Sequence, residues 1–204
     1  MTRRRVVVTG LGAITPLGDT VDAYWKALLD GRSGIALIER FSTEGFDVHF
    51  GGECKNFDAA RYFDRMVSKR LDRFAQFAII SADQAAADAR HDKNAVDPDR
   101  VGVIVGSGIG GLTELEQQHV RLLEKGPSKV SAFTIPKLML NAASGNISIK
   151  YGACGPSTAV ATACASATNA MGDAYMAIRR DEADIMFTGG AEAALTPIGI
   201  SAFA

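Results

Sequence analysis

The chain has 204 residues, of which 47% are hydrophobic, so it can bury a substantial core in one large domain or two small ones. Its formal net charge of −1 gives no reason to expect bulk binding to nucleic acid or to a membrane surface. The three cysteines lack a CxxC spacing and the three histidines are scattered, which argues against a disulfide framework, a zinc cluster or another metal site. No apolar run approaches the roughly 18 residues that span a bilayer, and the amino terminus does not resemble a signal peptide. We therefore expect a protein of the reducing cytoplasm.

Short apolar runs that end in glycine-rich turns alternate with helical patterns along the chain, which predicts an α/β fold. The runs predicted as buried strands are residues 5–9, 101–105, 158–163 and 184–188. After the first run, Asp19 or Thr20 can cap a helix that ends at Gly31. Residues 31–57 have an irregular pattern, which predicts a surface excursion with short strands.

Three further helices are predicted from the spacing of apolar residues. Residues 74–89 are apolar on several sides, so we expect this helix to pack on more than one face. A second helix is expected over residues 112–125, and a third from Pro136, which suits a first helical turn, to Ile147.

Basic side chains cluster at one-turn spacings in the helical region that begins at Asp58. They are Arg65, Lys69, Arg70 and Arg73, and the spacing makes Lys69 and Arg73 an i,i+4 pair. The plain interpretation of such a cluster is a solvated helix face. The alternative is a docking patch for an acidic partner.

The most informative stretch is residues 157–171, where small and β-branched residues are followed by a helical stripe. We expect Cys164 to begin that helix, directly after a buried strand. At this position the helix dipole stabilises a thiolate, and unpaired amides of the first turn can bind a developing oxyanion. The alternative is an inert buried cysteine, which is a common state of free cysteines. Cys54 and Cys154 have no comparable position, and we interpret both as bystanders.

Gly106, Gly108 and Gly111 match the dinucleotide-binding spacing GxGxxG between a predicted strand and a predicted helix. That fingerprint also requires an acidic residue about twenty positions further on, at the end of a second strand. Residues 125–130 form a loop instead. We therefore interpret the glycines as a turn that lets the backbone pass close to an active site, with nucleotide binding as the alternative.

Five motifs occur in one order along the chain. They are VVVTGLG at 6–12, GSGIGG at 106–111, GPS at 155–157, TACAS at 162–166 and GGAE at 189–192. Together they resemble the β-ketoacyl-acyl carrier protein synthases, and the likeness is greatest to the type II enzymes that elongate fatty-acyl chains in bacteria. The resemblance implies a thiolase-like fold of α-β-α-β-α layers, of which this chain is similar to the amino-terminal half, and it implies a homodimer.

The resemblance also implies roles for particular residues in fatty-acid biosynthesis. Cys164 matches the nucleophile that takes an acyl group from acyl carrier protein, and its amide matches one of two oxyanion donors. Malonyl-carrier protein is then decarboxylated, and its carbanion attacks the thioester in a Claisen condensation that gives 3-oxoacyl-carrier protein. Ile109 and Phe203 match positions that line the acyl pocket, and Lys69 and Arg70 fall in the carrier-protein docking region. Both acyl groups arrive as phosphopantetheine thioesters, so no other cofactor is expected.

One departure from the family limits what this chain is expected to do. Family members are roughly twice as long, and their two catalytic histidines, a lysine and the second oxyanion donor lie in the carboxy-terminal half. His49, His91 and His119 match none of these groups. We therefore expect residues 1–204 to form an amino-terminal domain that does not condense acyl and malonyl thioesters alone. Two alternatives are a non-catalytic partner subunit that sets chain length, and a degradative thiolase; Cys164 and its TACAS context favour a synthase over both.

Overall fold

A three-stranded parallel sheet forms the centre of the computed structural model, which describes residues 4–204. Two short strands, β1 (Ala36–Leu37) and β2 (Phe50–Gly51), form a separate antiparallel pair. The strands of the central sheet are β3 (Val101–Gly106), β4 (Ser157–Val160) and β5 (Ile185–Gly190). The central strand β3 pairs in parallel with β4 on one side and with β5 on the other. Gly106 lies opposite Val160 of β4 and Gly190 of β5, so the carboxyl ends of the three strands meet at one edge.

Helices cover both faces of this sheet. The α-helices are α1 (Val21–Leu29), α2 (Arg65–Ser68), α3 (Arg73–Asp88), α4 (Leu112–Lys125), α5 (Thr134–Leu138), α6 (Ala142–Tyr151), α7 (Ser166–Arg179) and α8 (Pro197–Phe203). α7 contacts all three strands, whereas α6 contacts β3 and β4, and α3 packs on α6. In the described part of the chain, no helix is both long and apolar enough to cross a membrane.

Alternate side chains of β3 pack into two different clusters, as expected for a strand buried on both faces. Val103 and Val105 pack with apolar residues of α3 and α6. Ile104 points to the other face, where it packs with Ala170 and Ala174 of α7. The result is a three-layer α/β/α arrangement, which confirms the predicted α/β class.

Several predicted elements are confirmed in place. The side chain of Thr20 caps α1 by accepting the amide of Ala23 at 3.2 Å. The excursion over residues 31–57 contains only the short antiparallel pair β1 and β2. α3 has nine buried residues on several sides, and the helix predicted over residues 112–125 is α4.

The strand predicted over residues 5–9 is wrong. None of these residues belongs to a strand, and Val7 and Val8 are 64% and 79% exposed. A strand requires a neighbouring ladder, but within residues 4–204 β3 pairs only with β4 and β5. The segment that follows is held instead by side chains of α3: the amide of Leu11 donates to Asp88 and that of Ala13 to Gln84.

Two further predicted elements are divided or shortened. The strand predicted over residues 158–163 ends at Val160, because the chain turns sharply before Cys164. The helix predicted from Pro136 to Ile147 is two helices, α5 and α6. Met139 between them has an extended backbone with ψ of 138°, which no helix accommodates.

The basic residues predicted on one helix face lie on two helices and on the connection between them. α2 ends at Ser68, and Asp72 caps α3, so Lys69 and Arg73 are not an i,i+4 pair. Lys69 and Arg70 are exposed in the connection between the two helices. Arg73 turns inward, where its guanidinium lies 5.0 Å from the ring centre of Phe77 and donates to the carbonyl of Cys54 at 2.9 Å.

Candidate functional site

Two glycines let the start of α7 approach the carboxyl edge of the sheet. A Cβ on Gly106 would lie 2.3 Å from the carbonyl oxygen of Ser166, and a Cβ on Gly190 would lie 2.6 Å from the Cβ of Ala167. No real side chain tolerates either distance. The first turn of α7 therefore rests directly on the ends of β3 and β5.

A strained turn connects β4 to α7 and carries Cys164. Ala163 has φ of +51°, in the left-handed region that residues other than glycine rarely adopt. The turn is closed by two hydrogen bonds of 3.1 Å, from the amide of Ala165 to Thr162 and from that of Ser166 to Ala163. Cys164 is exposed, and its amide has no acceptor within residues 4–204. The sequence placed Cys164 as the first helical residue, whereas α7 begins two residues later, at Ser166.

The side chain of Ser166 braces this turn. Its hydroxyl donates to the carbonyl of Ala163 at 2.7 Å and accepts the amide of Thr162 at 2.9 Å. Ser166 is only 4% exposed, so neither bond competes with bulk water. The sequence signalled Ser166 only as the last residue of the TACAS motif. A serine at the start of a helix, after a strand, was the available signal for a brace.

The glycine-rich loop after β3 lies beside the Cys164 turn. A Cβ on Gly108 would lie 3.7 Å from the carbonyl oxygen of Ala163. The loop is held by Glu192, which follows β5: its Oε2 accepts the amides of Gly108 at 2.6 Å and Ile109 at 3.1 Å. Its Oε1 accepts the hydroxyl of Ser107 at 3.2 Å. The sequence signalled Glu192 only as the last residue of the GGAE motif, without a role.

These contacts argue against nucleotide binding at the loop that has the GxGxxG spacing. In a dinucleotide site the loop amides face a pyrophosphate. Here two consecutive loop amides already bind the carboxylate of Glu192. A phosphate would have to displace an internal anion that makes three hydrogen bonds, so the glycines serve a close turn, as interpreted from the sequence.

The structure separates the two residues assigned to the acyl pocket. Ile109 is 40% exposed in the loop beside Cys164. Phe203, at the end of α8, is 78% exposed and lines a cavity of about 390 Å³. Neither Cys164 nor Ile109 lines that cavity, whose wall includes Cys54. Burial raises the pKa of the Cys54 thiol, which disfavours its thiolate.

The three histidines have neighbours elsewhere in the structure. His49 shares a hydrogen bond of 3.1 Å with Thr43, and His119 is exposed on α4. The ring of His91 packs against those of Tyr151 and Phe187. The described residues thus provide an exposed thiol and one unpaired amide at Cys164, and they place no histidine beside it. Among them, no group of three or more His, Cys, Asp or Glu residues could hold a metal ion.

A buried polar cluster supports the helix that follows the loop. Glu114 of α4 is 1% exposed, forms an ion pair with Lys137 and accepts the hydroxyl of Thr134 at 3.2 Å. Asp72 accepts the amide of Glu114 at 2.8 Å, and burial raises the pKa of Asp72. α4 is therefore anchored to α3 and α5 by charges that are almost completely removed from water.

These features define a class of protein: an α/β domain that presents an exposed cysteine on a strained turn between a parallel strand and a helix. The family model described as "Beta-ketoacyl synthase, N-terminal domain" matches residues 3–204. The chain belongs to the β-ketoacyl synthase family.

Two relatives that it matches have the same name. It is 48% identical over 202 residues to the 3-oxoacyl-(acyl-carrier-protein) synthase 2 of Synechocystis sp., covering 99% of this chain and 49% of the relative. It is 45% identical over 200 residues to the protein of the same name from Staphylococcus aureus (strain COL), covering 98% of this chain and 48% of the relative. The chain thus spans about half the length of these relatives.

Solved structures show the same fold. The ishigamide ketosynthase/chain length factor superposes with a TM-score of 0.91 at 29% identity, over 99% of this chain and 50% of that one. A second solved structure is a ketosynthase bound to a hexaketide, in complex with its type II polyketide synthase acyl-carrier protein. It superposes with a TM-score of 0.82 at 26% identity, over 98% of this chain and 54% of that one. The fold is therefore thiolase-like, and the described residues correspond to about half of it.

Proposed function

We propose that this chain supplies the nucleophile of a 3-oxoacyl-acyl carrier protein synthase in fatty-acid biosynthesis. The observation that carries the proposal is the geometry of Cys164, an exposed thiol on a braced, strained turn at the carboxyl edge of the sheet. The names of the relatives at 48% and 45% identity support the same activity. In a reducing cytoplasm, where we place the protein, this thiol remains free to react.

The first proposed step is acyl transfer to Cys164. The thiolate attacks the carbonyl carbon of an acyl-phosphopantetheine thioester, and the unpaired amide of Cys164 donates to the oxyanion that forms. The bond from the carbonyl carbon to the carrier's sulfur breaks, and the released carrier thiolate takes a proton. The acyl group remains on Cys164 as a thioester. We propose that Ile109 and Phe203 line its pocket in the complete site.

The second proposed step needs groups beyond those at Cys164. Malonyl-carrier protein loses CO₂, and the resulting carbanion attacks the acyl thioester, which releases Cys164 as a thiolate and gives a 3-oxoacyl product. Stabilising that carbanion requires hydrogen-bond donors or a general acid near the malonyl carbonyl. The histidines of the described residues lie elsewhere, so we propose that residues 1–204 acylate without condensing.

We propose acyl carrier protein as the partner and Lys69 and Arg70 as its contacts. Both side chains are exposed between α2 and α3. The guanidinium of Arg70 lies 5.0 Å from the ring centre of Phe133, which fixes one positive charge at the surface. A related ketosynthase is described in complex with an acyl-carrier protein, which supports this class of partner.

We further propose a homodimer. β4 is at one edge of the described sheet, and Ser157 and Thr158 are exposed on it. An open edge strand favours pairing with another strand, and a two-fold axis allows identical strands to pair. Sedimentation of the purified chain would give a dimer if this edge is used, and a monomer at all concentrations would reject it.

An acyl-transfer assay tests the proposed function. The purified chain is incubated with dodecanoyl-carrier protein or with dodecanoyl-coenzyme A, and its intact mass is measured, beside a Cys164→Ala control. We expect one acyl group from the carrier protein, a slower reaction with coenzyme A, and none in the control. Preference for coenzyme A would favour a degradative thiolase, and no transfer from either donor would favour a non-catalytic subunit. A 3-oxoacyl product after malonyl-carrier protein is added would refute the proposal that this chain does not condense.

A further inference from the structure

The carboxylate of Glu192 binds a loop that is distant from it in the sequence. Glu192 follows β5, yet its three hydrogen bonds all go to the loop after β3, more than 80 residues earlier in the chain. Consecutive amides that point to one place form an anion-binding concavity. In this protein the concavity formed by Gly108 and Ile109 holds an internal carboxylate.

Ser107 extends the contact through the whole turn. Its hydroxyl donates to Glu192 and accepts the amide of Gly110 at 3.1 Å, and Ser107 is 2% exposed. Gly110 has φ of +77°, and a Cβ there would lie 2.7 Å from the carbonyl oxygen of Leu138. The loop therefore has a glycine where the backbone must bend, and the carboxylate of Glu192 binds the three residues before it.

The loop in turn borders the nucleophile. Gly108 faces the carbonyl of Ala163, directly before Cys164, and Ile109 is the next residue. Hydrogen bonds to a charged group are stronger than neutral ones, so loss of the carboxylate releases the loop on the side of Cys164. A released loop moves Ile109, the one large apolar side chain in this turn.

We propose that Glu192 is a positioning residue: it fixes the backbone of Gly108 and Ile109 and thereby sets how well an aliphatic chain bound at Cys164 is accommodated. It acts through the loop and not on the reacting atoms. The inference deepens the proposed function, on which its biological meaning rests. Loss of Glu192 should therefore change the selectivity of the site for chain length and have little effect on the reactivity of the Cys164 thiol.

Two measurements on the full 204-residue chain test the proposal without any carrier protein. The first is hydrogen exchange of the Gly108 and Ile109 amides. The second is the ratio of Cys164 labelling rates for N-octyl and N-methyl iodoacetamide. Glu192→Gln keeps the size of the side chain, and Glu182→Gln is the matched control. Glu182 is exposed beyond the last turn of α7, about 20 Å from Cys164 at 1.5 Å rise per helical residue.

We expect Glu192→Gln to accelerate exchange of the two amides about tenfold and to lower the octyl-to-methyl ratio about tenfold, with methyl labelling within twofold of wild type. Glu182→Gln should change none of these. Ser107→Ala, which retains Glu192, should produce a smaller shift of the same sign; it provides the test if Glu192→Gln does not fold by circular dichroism. Unchanged exchange, or faster exchange with an unchanged ratio, would overturn the proposal. Failure of the proposed function would show separately, as no acyl transfer from carrier protein.

Discussion

Replacing Ser166 with alanine removes both side-chain hydrogen bonds that close the turn before Cys164. The hydroxyl donates to Ala163 at 2.7 Å and accepts from Thr162 at 2.9 Å, and Ser166 is 4% exposed. Each bond contributes about 1 kcal/mol net, so the variant should lose about 2 kcal/mol of unfolding free energy. For a chain of this size that corresponds to a decrease in Tm of about 4–8 °C.

Loss of the serine hydroxyl should also have a chemical effect at Cys164. The left-handed backbone of Ala163 costs about 1–2 kcal/mol, and the serine brace helps to hold it. Without the brace the turn relaxes, and the amide and thiol of Cys164 lose their fixed orientation. We expect acylation of Cys164 by carrier protein to fall more than alkylation by iodoacetamide, because only acylation uses the oriented amide.

Ser144→Ala is the control for this prediction. Ser144 is 1% exposed in α6, and its hydroxyl makes one hydrogen bond, to the carbonyl of Asn141 at 3.2 Å. Urea unfolding followed by circular dichroism should show a loss of about 1 kcal/mol or less, with no effect on Cys164 acylation. An equal loss of unfolding free energy in both serine variants, or unchanged acylation in Ser166→Ala, would refute the claim that the Ser166 hydroxyl holds the turn before Cys164.

Three further predictions follow from the same structure. Lys137→Met leaves Glu114 buried without its ion-pair partner, so urea unfolding should show an unfolding free energy lower by about 3–5 kcal/mol. Adding Glu114→Gln to the same variant should restore most of that free energy. Reversing the charge of Lys69 and Arg70 to Glu should weaken carrier-protein binding about tenfold at low salt, with a smaller effect at high salt, by titration calorimetry; equal affinity at low salt would exclude this patch. Ala163→Gly relieves the strain of the left-handed backbone but raises the conformational entropy of the unfolded chain, so its unfolding free energy should lie within about 1 kcal/mol of wild type. Ala163→Val should fold poorly, because a β-branched residue disfavours the left-handed backbone.

The elements that sequence predicted well are those that local pattern determines. β3 is a continuous apolar run, and its side chains are buried on both faces of the sheet. Thr20 has the residue type and spacing of an N-cap, and α3 has apolar residues on several sides. In each case the segment itself carries enough information, because capping and burial on two faces are local properties of the sequence.

One failure arises because a distant partner decides the conformation, and another because a local break was overlooked. Residues 5–9 have a strand composition but no ladder neighbour in the described chain, and β-propensity depends on that neighbour. The basic cluster was predicted on one helix because its spacing fits, but Asp72 starts a new helix and directs Arg73 inward. This second failure is local: the Asp72 side chain accepts the amide of Phe74 as an N-cap, a signal that the spacing of the basic residues does not include.

The candidate site was half predictable. The position of Cys164 between a strand and a helix followed from the residue pattern, with an error of two residues in the helix start. Glu192 and Ser107 could not be assigned, because their contact joins positions 85 residues apart. Only the fold brings the end of β5 to the loop after β3, through the parallel pairing of the two strands.

Site-resolved acylation tests the central claim most directly. The chain is incubated briefly with dodecanoyl-carrier protein, remaining thiols are alkylated, and the peptides that contain Cys54, Cys154 and Cys164 are quantified by mass spectrometry. The account predicts the acyl mass on the Cys164 peptide alone, with Cys54 and Cys154 carrying only the alkyl label. An acyl group on Cys54 or Cys154, or distributed equally among the three, would contradict it.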